Sequence, residues 1–173
     1  LGRQDLVPGI DGCSAPNYAL PLAALARAYA RIARPDDGDP DAAARRAVGD
    51  AMTAHPDYVS GERRFDLALM RAGRGDWVAK VGAEGVQAVG LKHAGIGIAI
   101  KVGDGAGLLL VAAAENGERQ HDHGRAGLVE RAGDRVAERL EGGLDGGDAE
   151  RELLGDLRDG ADVVHARQPA GVT

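Results

Sequence analysis

The sequence holds one cysteine, Cys13, so an internal disulfide framework is excluded. Aromatic residues make up 3% of the chain, and Tyr18, Tyr29, Tyr58, Phe65 and Trp77 are the whole set. No apolar run approaches the roughly 20 residues of a membrane span, and no charged-then-apolar leader pattern opens the sequence. The first residues are Leu1-Gly2-Arg3, without a methionine. Basic charge is in deficit: 21 Lys and Arg stand against 27 Asp and Glu, a net charge of −6. That balance argues against a nucleic-acid-binding face and against an anionic membrane surface as partner. The expectation is a cytoplasmic protein with no nucleic-acid and no membrane partner.

What is present is a globular composition, 44% hydrophobic and 28% charged over 173 residues. That length suffices for one domain with a core. The composition shifts near residue 105. Residues 1–105 hold every aromatic, every lysine and every isoleucine, with 13 basic residues against 13 acidic ones. Residues 106–173 hold 8 arginines against 14 acids, and no Lys, Ile, Met, Cys, Ser or aromatic residue. Large aromatic and branched side chains supply much of a core's buried area. The division expected is therefore a core-forming portion over 1–105 and a divergent Gly/Arg/Asp-rich tail over 106–173, frame-shifted or poorly ordered.

Pro8 to Asn17 is too rich in Gly and Pro for a regular element. Pro21 suits a helix start, and Leu22, Leu25, Tyr29 and Ile32 form one apolar helix face ending near Arg34. Pro35 to Asp39 reads as a loop. Pro40 opens a second helix with the stripe Ala44, Val48, Ala51 and Met52, and Pro56 closes it. Phe65 to Ala72 fits a short third helix, broken by Gly73 and Gly75. The period then changes to that of strands: Trp77–Val81, Val86–Leu91 and Gly97–Val102, with joins short enough for antiparallel hairpins. Helices followed by an antiparallel meander predict an α+β fold.

Three features could carry chemistry. Asp11 and Cys13 place a carboxylate and a thiol two residues apart in a Gly-rich turn, where a metal or a substrate amine could meet them. The plainer reading is an Asx-type turn with a small cysteine. Lys80-Val81-Gly82 sets an ammonium on a strand beside a glycine that leaves backbone room for a substrate. Acyl-transfer enzymes of the penicillin-binding type use a Lys-Thr-Gly strand so, beside a Ser-x-x-Lys nucleophile. A lone Lys-x-Gly is more commonly an edge-strand lysine in water. The glycines of Gly95-Ile96-Gly97 and Gly103-Asp104-Gly105 lack the strand-before, helix-after context of a phosphate loop. His121-Asp122-His123 has no supporting ligand cluster at familiar spacing and reads as solvated.

The order of five blocks resembles the rhizobial-type L-asparaginase, or L-asparaginase II, family. The blocks are Asp11 to Leu22, Ala51 to Pro56, Asp66 to Met70, Trp77 to Val86 and Gly97 to Val102. The resemblance covers about residues 5–105 and corresponds to the family's C-terminal half. It implies part of a serine β-lactamase/penicillin-binding-like fold and hydrolysis of L-asparagine to L-aspartate and ammonia. It further implies a homodimer for the complete protein and serines paired with lysines in the site, one pair in a Ser-x-x-Lys motif. Lys80 matches the strand lysine of the second pair, with Gly82 beside the substrate. Cys13 matches a cysteine that helps bind Zn2+, and Asp11 matches the carboxylate just before it, assigned here a catalytic part. A serine hydroxyl needs a neighbouring base to become nucleophilic, and a lysine supplies one when burial or another cation lowers its pKa.

The sequence departs from that pattern in two ways. Its serines are Ser14 and Ser60, followed three residues later by Asn17 and Arg63, so no Ser-x-x-Lys occurs. The expectation is a fragment that lacks the nucleophile; the alternative is a non-catalytic fragment or pseudogene product. Residues 106–173 do not match the helix and closing strand that the family should add. Leu128, Ala132, Val136 and Leu140 form one helix stripe there, and Leu153, Leu154 and Leu157 another. The residue types missing from this stretch largely have AT-rich codons, which suggests a shifted reading frame in a GC-rich gene. The family's closing strand should then be encoded in another frame of the same DNA, and its absence from every frame would remove the idea.

Overall fold

A computed structural model describes residues 8–62, 64–103 and 161–167. Two short strands, β1 (Pro8–Ile10) and β2 (Pro16–Tyr18), form an exposed antiparallel ribbon. Four helices follow: α1 (Leu22–Ala33), α2 (Ala42–Ala54), α3 (Pro56–Ser60) and α4 (Phe65–Ala72). An antiparallel meander completes the order with β3 (Trp77–Gly82), β4 (Val86–Leu91) and β5 (Ile96–Val102), and β6 (Ala161–Arg167) pairs outside β5. This is the α+β order expected.

The helices start and stop where local chemistry dictates. Pro21 precedes α1, and its carbonyl accepts the Ala24 N–H at 2.8 Å. Pro56 occupies the first turn of α3, where its missing N–H costs nothing. Pro56, expected only to close α2, also begins the next helix. Gly73 ends α4, its N–H reaching the Leu69 carbonyl at 2.9 Å. A Cβ there would collide with the Trp77 ring.

The ribbon of β1 and β2 departs from the expected irregular loop. Pro8 pairs with Tyr18 and Ile10 with Pro16. Proline is tolerated because each strand is an edge with a side that needs no donor. The sequence reading placed no element on 161–167, which form β6. Its two helix stripes at Leu128–Leu140 and Leu153–Leu157, and the His121-Asp122-His123 tract, lie outside the described residues.

Alternation divides the sheet into two faces. Trp77, Ala79, Val89, Leu91, Ile96, Ile98 and Ile100 share one face and cluster with Phe65, Ala68, Leu69 and Met70 of α4. Each large aliphatic side chain so buried contributes about 1.5–3 kcal/mol. The other face carries Ala88, Gly90, Gly97 and Ala99, and α1 lies close upon it with its buried Ala26, Ala30 and Ala33. Glycine is required at that contact: a Cβ on Gly90 would come within 2.6 Å of the Tyr29 carbonyl oxygen. The loop after α1 is tied to α2 by Asp39, which accepts the Asp41 N–H at 2.9 Å and pairs with Arg45 at 3.0 Å and Arg31 at 3.8 Å. Lys92, at the β4–β5 turn, donates to Asp50 and Thr53 of α2, both at 2.9 Å. No helix among the described residues is long and apolar enough to cross a membrane.

Candidate active site at the free edge of β3

Within the described sheet, β3 is an edge strand. Its inner half, Trp77–Ala79, is buried, while Lys80 and Val81 are half-buried and Gly82 is exposed. The lysine side chain is 41% exposed and folds back along its own strand, its Nζ donating to the Val81 carbonyl oxygen at 2.9 Å.

The second partner of Lys80 comes from α4. Asp66 stands in the first turn of that helix, where negative charge is favoured by the helix dipole. It is fully buried. Its Oδ2 lies 3.7 Å from Lys80 Nζ, accepts the Val81 N–H at 3.2 Å, and accepts the Ser60 hydroxyl. Ser60 is the last residue of α3, so the short segment between α3 and α4 delivers serine and aspartate to one place. Asp66 Oδ1 is buried without a hydrogen-bond partner among the described residues. The pKa of Tyr29, in α1, is pushed up to about 12, first by burial and then by the field of the Asp66 carboxylate. Ser60, Asp66 and Lys80 therefore meet at the edge of β3.

Sequence reasoning singled out Lys80 but passed over Asp66 as a site residue and treated Ser60 only as a serine without a lysine three positions on. One signal was available. Within the apolar run Phe65 to Met70, Asp66 is the sole charged residue, and burial of a carboxylate demands partners.

The remaining candidates sit differently. Asp11 Oδ1 accepts the Cys13 N–H at 2.8 Å and the Ala15 N–H at 3.0 Å, closing the turn between β1 and β2. Cys13 is exposed and its thiol is free. Among the described residues, no hydrogen bond or ion pair joins this turn to Lys80, and no group of three or more His, Cys, Asp or Glu could hold a metal ion. With one thiol, and with one oxygen of its carboxylate already taken by backbone donors, the turn does not by itself fit a Zn2+ site, which takes three or four protein ligands. Gly82 pairs with Val86, and a Cβ added to it would stand 3.1 Å from Val86 Cβ. Its small size thus serves the β3–β4 pair as well as any visitor to the exposed strand end.

A family model described as L-asparaginase II matches residues 1–140. No curated protein matches the chain.

Proposed function

The chain belongs to the L-asparaginase II family, and from that membership we propose that it supplies the lysine side of an amidohydrolase site for L-asparagine. The overall reaction adds water across the side-chain amide, breaking the C–N bond to give L-aspartate and ammonia. In this reading Lys80 is the catalytic lysine of the pair, Gly82 leaves the strand end open to the substrate, and the arrangement is serine β-lactamase-like. The observation that carries it is the place of Lys80: an ammonium held at the free edge of a strand, half-exposed, between a carbonyl and a buried carboxylate. A lysine so held faces the substrate as a proton carrier for the attacking hydroxyl and for the departing ammonia. Donors aimed at the developing oxyanion complete such a site.

The acylating serine is not among these residues in this reading, because no Ser-x-x-Lys occurs. Ser60 donates its hydroxyl to Asp66, and Ser14 stands in the exposed turn at φ 62°. The same two facts favour the second reading, a family fragment without activity of its own. To hold Zn2+, Asp11 and Cys13 would need ligands from further residues. A cytoplasmic homodimer belongs to the proposal for the complete protein.

The test is a titration of the purified chain with L-asparagine, followed by backbone amide resonances, together with an assay of ammonia release. Shifts confined to Lys80, Val81 and Gly82 are expected, with no ammonia released. Shifts elsewhere, or none, would remove the substrate assignment. Ammonia release that disappears in Lys80→Ala would instead place the nucleophile within this chain and overturn its assignment to another segment.

A further inference from the structure

Lysine is a poor fixed point. Its four-carbon stem rotates about several bonds, whereas a site requires its groups to be held within roughly 0.5 Å. Something must therefore hold Lys80 if it is to serve. The Val81 carbonyl, part of the neighbouring peptide on the same strand, holds one proton of the ammonium. The only carboxylate that pairs with it among the described residues is Asp66, which comes from a different element.

The burial of Asp66 is hard to explain as a device for stability alone. A carboxylate taken out of water loses more than it regains unless its partners are good, and an apolar residue of similar size often serves a core as well. Here one oxygen takes every described partner, the Ser60 hydroxyl, the Val81 N–H and the Lys80 ammonium, and the other takes none. The carboxylate is thus turned toward the free edge of β3. At 3.7 Å it attracts the ammonium without capturing one of its protons.

We propose that Asp66, backed by the Ser60 hydroxyl, is a positioning residue that sets the direction of the Lys80 side chain along the free edge of β3. The proposal rests on the reading of Lys80 as the working lysine. Ser60 and the Val81 N–H fix the carboxylate, the carboxylate fixes the ammonium, and the protons left over on Nζ face the exposed side of the strand. The segment from α3 into α4 thereby becomes part of the site, although neither of its two side chains touches the substrate.

The decisive experiment compares acetylation rates of Lys80, Lys92 and Lys101 by a limiting amount of amine reagent, read by mass spectrometry, in the chain and in Asp66→Asn. The substitution keeps the shape and the acceptor for Ser60 and Val81 but removes the charge. Lys80 should react at least about threefold faster while Lys92 and Lys101 stay unchanged. An unaltered Lys80 rate in a folded Asp66→Asn chain would overturn the proposal. If that variant does not fold, melting temperatures of Lys80→Met and Lys80→Arg decide. A loss of roughly 5 °C in the first, largely restored in the second, is expected from an unpaired buried carboxylate. Equal melting temperatures in all three proteins would sink the tether. Neither measurement depends on substrate. A chain that labels as expected but does not respond to L-asparagine retains the Asp66 tether and loses the substrate reading.

Discussion

Gly97 of β5 lies directly beneath the Ala26 carbonyl of α1, so close that a Cβ at position 97 would overlap that oxygen and crowd the Ala30 nitrogen, 2.5 Å away. Both obstacles are helix backbone and cannot swing aside. Gly97→Ala should therefore cost more than about 3 kcal/mol, beyond the usual range for overpacking. Gly12→Ala is the control: nothing lies within 4 Å of its Cβ, so the change should stay within about 0.5 kcal/mol. Urea unfolding of the two variants checks the contrast, and comparable midpoints would mean that α1 does not sit on the sheet as described.

Alkaline stability should depend on Tyr29. Its hydroxyl is held from the ordinary 10.0 up to about 12 by burial and by Asp66. A group whose folded pKa is raised contributes its stability below the unfolded value and loses it as pH rises through the folded one. The chain should thus lose stability progressively between pH 10 and pH 12. Tyr29→Phe should flatten that loss, a result read from denaturant midpoints across the interval.

Acid stability should depend on Asp39. The Asp41 backbone N–H and the Arg45 and Arg31 guanidiniums hold its carboxyl below the ordinary 3.8. The sign is opposite to that of Tyr29: the contribution is present above the unfolded pKa and fades as pH falls through the lower, folded one. Asp39→Asn should be destabilising at neutral pH and progressively less so below pH 3.8. Thermal melts of both proteins over that range supply the check.

The turn between β1 and β2 separates two roles for the Asp11 and Cys13 pair. As an Asx turn it uses the Asp11 carboxylate and the Cys13 backbone, not the thiol. Asp11→Ala should cost about 1 kcal/mol for two lost acceptor contacts, and Cys13→Ser almost nothing. Added Zn2+ should leave the melting temperature of the chain where it was. A rise seen with Cys13 and absent with Ser would show that the thiol serves a metal with ligands from other residues.

Much of the fold was legible because it rests on local signals. Phe65–Ala72 could be bounded by Gly73, and the β3–β4 and β4–β5 joins by their glycines, two of which, Gly85 and Gly95, adopt positive φ. What was not legible depends on distant partners. β1 and β2 contain prolines that ordinarily argue against strands, and only their mutual pairing makes them a ribbon. β6 is a single short strand whose partner lies far back in the chain. In the site, Lys80 could be found by motif and Asp66 only by its charge within an apolar run, whereas their meeting with Ser60 requires α3 and α4 to be packed at the edge of β3.

The pairing of β6 with β5 also has a consequence in time. On the ribosome, β3, β4 and β5 emerge well before β6, with roughly 60 residues still to be added, which takes about 3–12 s at ordinary rates of synthesis. During that interval the outer rim of β5 presents the backbone groups that β6 will pair, a template for any passing strand. The nascent protein should therefore be most prone to pairing with the wrong chain just before β6 arrives.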